Sequence, residues 1–268
     1  MKSPSGRSAH LGRLVATSGR EGGAAIATAV GALATGGQRA RHLLRTRYPT
    51  VAVTGMTGVG KTALADRISR KAAENGQADV GSAVLEKRTR TTGSLRGFRF
   101  RVVPGENAAT RLGALDQVFH DEAVDGVLHV VANGYATGRR AAGISGSATV
   151  DRELQLAREL DDWTITAHRI ASMAVRRDKP TWLVIAVTKV DLYPDEIESV
   201  VRSYSPGAGT PFAVKLDELR ALAGAAKLSV DVLPVCAEGG KNSAVSAKQR
   251  DAYVAALELR MAQLCGHR

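Results

Sequence analysis

Residues 51–69 read VAVTGMTGVGKTALADRIS. A β-branched run, VAVTG at 51–55, passes through a glycine-rich turn into a run of helix formers. Gly55, Met56, Thr57, Gly58, Val59, Gly60, Lys61 and Thr62 fit the spacing G-x-x-x-x-G-K-[ST] in full. Each part has a physical reason. Glycines let the backbone curl until several N–H groups point at one centre. A helix that starts near Lys61 adds the positive end of its dipole. The lysine brings a mobile charge, and a threonine hydroxyl at the next position can meet a hard cation. Ala63 continues the helix, expected to run from Lys61 to Asn75 and to stop at Asn75-Gly76.

Strand and helix patterns alternate outward from this stretch. FRFRVV (98–103) alternates apolar and basic, as a half-exposed strand does. Residues 107–120 read as a helix, and GVLHVVA (126–132) as a buried strand. A Gly-rich loop follows over 133–149. A long helix is expected over 151–177, because Leu156, Leu160, Trp163, Ala167, Ile170 and Ala174 recur at helical spacing. WLVIAVT (182–188) is the most apolar strand. A helix over 217–227, a strand over 230–235 and a helix over 247–264 complete the pattern. This alternation predicts an α/β fold, a mostly parallel sheet with helices on both faces. Ligands of such sheets bind at the carboxyl ends of the strands.

Thr188-Lys189-Val190-Asp191 follows the most apolar strand. A carboxylate there can accept two hydrogen bonds from the N1 and N2 edge of guanine, and adenine offers no such donor pair. The lysine stem can lie along the face of the base. In register with a phosphate loop, these residues point to guanine.

Together, GMTGVGKT and TKVD resemble the first and base-reading motifs of P-loop GTPases of the translation-factor class, in particular the Era-like group. Cys236-Ala237-Glu238, after VDVLPV, resembles the family's S-A-K loop, where the alanine N–H meets the guanine oxygen. Cysteine stands in place of serine. The resemblance covers residues 50–264. It implies a three-layer α/β/α P-loop NTPase domain over 48–268, with the loop and long helix at 133–178 inserted. It further implies GTP or GDP as ligand and Mg²⁺ as cofactor. Lys61 would reach the β- and γ-phosphates, and Thr62 would ligate the metal.

The third motif departs from the family's pattern. Where the family has Asp-x-x-Gly, residues 102–105 are Val102-Val103-Pro104-Gly105. Valine has no lone pair, so the metal would rely on Thr62, phosphates and water, or on another side chain. Glu106 follows Gly105 and has two readings. It is a general base toward water, or a carboxylate that favours a helix N-terminus. The second motif needs a threonine before FRFRVV, in a loop placed at about 86–97. Thr89, Thr91 and Thr92 all qualify as metal ligands, with Thr92 the choice carried forward. Lys87, Arg88, Arg90, Arg96, Arg99 and Arg101 offer either an internal arginine finger or a solvated basic strip.

The chain has 268 residues and a net charge of +11. Eight basic residues and one acid over 1–47 account for seven of those charges. Such an arm suits an anionic membrane surface or a nucleic acid. Equally, it is a solvated tail of an arginine- and alanine-rich composition. GGAAIATAVGALATGG (22–37) is uncharged, but its sixteen residues fall short of the ~20 strongly apolar ones that a spanning helix needs. No leader is expected, since no compact apolar core with a cleavage site follows the basic start. The two cysteines do not form a disulfide framework, and the six histidines show no metal spacing. Three functions remain open. The first is a slow GTP-hydrolysing switch acting on a protein effector or activating partner through loops at about 86–97 and 104–117. The second is a scaffold that binds GTP or GDP without efficient hydrolysis. The third is a membrane or nucleic-acid adaptor using the basic arm. A cytoplasmic location in a bacterium, peripheral to the inner membrane face, and a homodimer are expectations of the same reading.

Overall fold

A computed structural model describes residues 48–69, 86–92, 96–105, 108–121, 124–137, 151–224, 226–239 and 243–266. The basic arm (1–47), the residues 138–150 of the Gly-rich loop, and Glu106 lie outside the described residues.

The described strands are β1 (Thr50–Thr54), β2 (Glu86–Thr92), β3 (Arg96–Val102), β4 (Gly126–Val131), β5 (Thr181–Val187) and β6 (Leu228–Pro234). They form one sheet in the order β2-β3-β1-β4-β5-β6. The five strands from β3 to β6 pair in parallel, and β2 adds an antiparallel edge. The described helices are α1 (Lys61–Ser69), α2 (Ala108–Asp116), α3 (Arg152–Arg176), α4 (Ile197–Ser203), α5 (Pro211–Ala223) and α6 (Ala247–Leu264). A π-helical turn, Gln117–Asp121, extends α2.

The strand alternation sorts the core into two faces. Ala52, Val127, Val131, Leu183, Ile185 and Val187 pack with Leu115, Trp163, Ile170 and Leu216 from α2, α3 and α5. Val51, Val53, Leu128, Val130, Trp182 and Val184 pack with Leu64 and Ile68 of α1 and Leu257 and Met261 of α6. The fold is therefore the expected three-layer α/β arrangement. Asp151 caps α3 by accepting from Glu153 N at 2.9 Å. Ser246 and Gln249 form a reciprocal capping box at the start of α6.

Three expectations need correction. Residues 86–92 are a strand rather than part of a mobile loop, because they pair along the whole of β3. Helix α5 begins at Pro211 rather than Asp217, because Thr210 caps it and accepts from Ala213 N at 3.2 Å. The third correction concerns Thr92. Glu86 pairs with Val102 at the carboxyl end of β3, and Thr92 pairs with Arg96 at its start. At about 3.3 Å per residue, Thr92 stands roughly 20 Å from the strand ends where the phosphate loop lies. That removes it as a metal ligand.

Candidate nucleotide site

The phosphate loop joins β1 to α1. Gly55, Gly58 and Gly60 all have positive φ, at 129°, 81° and 95°. A side chain at Gly58 would also place its Cβ 2.1 Å from the Thr137 carbonyl oxygen, so glycine is required there twice over. Leu64 N donates to Gly60 O at 2.9 Å, which starts α1 directly behind the loop. Lys61 is 7% exposed, and its Nζ donates to Gly55 O at 2.7 Å and Met56 O at 2.8 Å. Its charge therefore sits over the loop's centre, together with the positive end of α1. Thr62 and Ala63 are half-buried in the first turn of that helix.

The Thr188–Asp191 stretch is locked onto this loop. Thr188 Oγ1 donates to Val59 O at 2.8 Å. Lys189 is in the left-handed region (φ 57°), and its Nζ donates to Gly58 O at 2.8 Å and Tyr135 O at 2.8 Å. Asp191 follows in a short turn. Its Oδ1 accepts from Cys236 Sγ at 3.3 Å and its Oδ2 from Ser243 Oγ at 3.4 Å. Cys236 is thus more than a small apolar filler: it orients a carboxylate. Burial, and then the Asp191 carboxylate, push its thiol up to about 12, so it acts as a neutral donor. Ala237 lies beside it, nine-tenths buried. Gly55–Ala63, Thr188, Lys189, Asp191, Cys236 and Ala237 thus share the carboxyl ends of β1, β5 and β6.

Gly105 belongs to the same place. A Cβ added to it would stand 2.6 Å from Thr57 N and 2.8 Å from Lys61 Nζ. Val102 does not face the loop as a polar group would. It is 2% exposed and packs in the apolar cluster with Val53 and Leu64. Val102 therefore offers a metal no ligand. Thr62 offers a hydroxyl, yet the described residues contain no group of three His, Cys, Asp or Glu side chains that could hold a metal. A metal here would be held mainly by nucleotide oxygens and water.

Several residues of the site are missed by sequence reasoning. Thr137 donates its N–H (3.0 Å) and Oγ1 (3.2 Å) to Gly58 O, tying the loop after β4 to the phosphate loop. Glu159 of α3 holds the base of that loop: its Oε2 accepts from Ala132 N at 2.8 Å and its Oε1 from Tyr204 OH at 2.8 Å. Burial raises its carboxyl above the usual range, against the pull of these bonds. The buried face of α3 nearest the site carries Gln155, Glu159, Asp162 and Thr166. Their 4-3-4 spacing was legible beside the apolar stripe, and four polar residues at that spacing are the signal that could have found them. His129 on β4 accepts or donates at 2.9 Å between Nδ1 and Thr54 Oγ1, and its ring lies 4.8 Å from that of Trp163. Burial, with help from Arg111 and Lys61, lowers its pKa to about 3.

No family model and no curated protein matches the sequence. Solved structures do match the fold. The signal recognition particle receptor SRb-GTP/SRX complex from Chaetomium thermophilum is 15% identical, with a TM-score of 0.50 over 73% of this chain and 96% of that chain. The mammalian SRP receptor is 15% identical, with a TM-score of 0.51 over 80% of this chain and 99% of that one. At this identity the likeness is one of architecture: this chain has the three-layer α/β fold of those receptor domains.

Proposed function

We propose that the chain binds a guanine nucleotide at the ends of β1, β5 and β6 and acts as a GTP-dependent switch. The observation that carries this reading is the convergence on one loop. Lys189 Nζ and Thr188 Oγ1 both donate to phosphate-loop carbonyls, at 2.8 Å each. This holds Asp191 at a fixed offset from Lys61, as a base and its phosphates require. That a GTP-bound receptor domain has the same architecture supports it. Lys61 and the N–H groups of Gly58 to Thr62 would take the phosphates. Asp191 would take the guanine N1 and N2 donors, and Ala237 N–H the guanine oxygen. Magnesium would arrive with the nucleotide. The family reading is the Era-like group of translation-factor GTPases, with a protein partner meeting the face around Gly105.

A second reading, nucleotide binding without efficient hydrolysis, is favoured by Val102, which is buried in the core where the family has an aspartate. Calorimetry with GTP, GDP and ATP tests the shared part. GTP and GDP should bind at least about 50-fold tighter than ATP, the worth of two charge-assisted hydrogen bonds. Asp191→Asn should erase that preference. Equal binding of GTP and ATP by the unaltered protein would sink the reading. Turnover of GTP with Mg²⁺ then separates the switch from the non-hydrolysing form.

A further inference from the structure

A cavity of about 430 Å³ opens beside the phosphate loop. Part of its lining is Met56, Thr57 and Gly105, and part is Arg111 of α2 with Gln155 and Asp162 of α3. At the first part, a Cβ added to Gly105 would meet Thr57 N and Lys61 Nζ, so a terminal phosphate held by these donors would sit at the mouth of the cavity. Two guanidinium groups, Arg111 and Arg158, line the same small space, and Arg111 is the one paired with Asp162.

The bonding of that cation is lopsided. Arg111 Nη2 is 2.6 Å from Asp162 Oδ1 and 3.2 Å from the Asp162 carbonyl oxygen. Its Nε and Nη1 make no hydrogen bond among the described residues, and the side chain, 14% exposed, lines the cavity. Asp162 is only 3% exposed, and neither carboxylate oxygen has a well-directed hydrogen bond. Gln155, 5% exposed, also has an Oε1 without a donor. A guanidinium carries five donors in a planar fork, and most of this fork is unused.

We propose that Arg111 reads the γ-phosphate: its guanidinium rests on Asp162 and exchanges that carboxylate for the terminal phosphate of a triphosphate held in the loop. A diphosphate offers no such oxyanion, so Arg111 would stay on Asp162. Burial pushes the Asp162 carboxyl up to about 6 against the pull of Arg111 and Lys61. It can take a proton when the arginine leaves. The exchange would pull on α2, which follows Gly105 within a few residues, and so couple the terminal phosphate to the surface of the domain. The inference rests on the guanine-nucleotide reading and adds a residue to it.

Binding of GDP and of a non-hydrolysable imido analogue of GTP to three variants tests it. Arg111→Ala should weaken the analogue by about tenfold or more and change GDP by less than about threefold. Arg111→Lys should fall between, since it keeps the charge and loses the fork. Asp162→Asn should do the opposite and tighten the analogue severalfold with GDP unchanged, an outcome that misfolding cannot imitate. Equal losses for both nucleotides in Arg111→Ala, or weaker analogue binding in Asp162→Asn, would overturn the proposal. If the unaltered protein binds neither nucleotide, the function proposed above fails and this inference with it.

Discussion

Lys189 and Gly58 are 131 residues apart in the chain and 2.8 Å apart in the fold, with the ammonium donating to the glycine carbonyl. Thr137 donates to the same oxygen through its N–H at 3.0 Å and its hydroxyl at 3.2 Å. One carbonyl therefore joins the glycine-rich loop after β1, the loop after β4 and the turn that carries Lys189. Lys189→Met keeps the stem and removes the donor. It should cost about 1.5–3 kcal/mol in urea unfolding without any nucleotide present. No loss in that condition would mean that the lysine matters only to the ligand.

Glu159 should be the more damaging deletion. Glu159→Ala leaves Ala132 N–H and Tyr204 OH buried without acceptors, and the expected cost is about 3–5 kcal/mol. Tyr204→Phe loses one bond only and should cost about a third as much. Thermal unfolding of both variants checks the ratio.

His129 sets an acid limit. Its pKa falls from 6.5 in the unfolded chain to about 3 in the fold. A base that is neutral when folded and protonated when unfolded contributes its stability above pH 6.5 and loses it as pH falls toward 3. Between pH 7 and pH 4 this one group should remove about 3 kcal/mol. His129→Phe should flatten that slope, measured by urea unfolding at both pH values, at the expense of an unpartnered Thr54 hydroxyl.

Val102→Asp would place a carboxylate at a position that is 2% exposed. We expect the protein to lose about 2–5 kcal/mol of stability, because a carboxylate enters an apolar cluster. Added Mg²⁺ and GTP should recover part of the loss if the new side chain reaches the metal. A melting temperature equal to that of the unaltered protein would show that the position opens to water more readily than its packing implies.

The parallel core was legible because each strand carries its own apolar run and each helix its own period. The phosphate loop was legible because every residue of its spacing answers to the backbone of one short turn. β2 was not, since EKRTRTT has no apolar face and its strand character comes from pairing with β3. Without that pairing, the register that carries Thr92 to the far end could not be read either. Helix α5 did announce itself, through Thr210 followed by Pro211, but the apolar period obscured that start. The Arg111–Asp162 pair lies beyond sequence reasoning: 51 residues separate the two, and only the packing of α2 on α3 brings them together.

The order of the motifs along the chain has a consequence for biosynthesis. The lysine of the phosphate loop is residue 61, and the cysteine that orients Asp191 is residue 236, after the last strand of the sheet. At roughly 5–20 residues per second, about 9–35 s of translation separate them. Through that interval a nascent chain has its glycine-rich turn but not the Cys236 and Ala237 end of the candidate site. The proposed nucleotide could then act on folding only near the end of synthesis, because the parallel sheet lacks its edge strand β6 until that point.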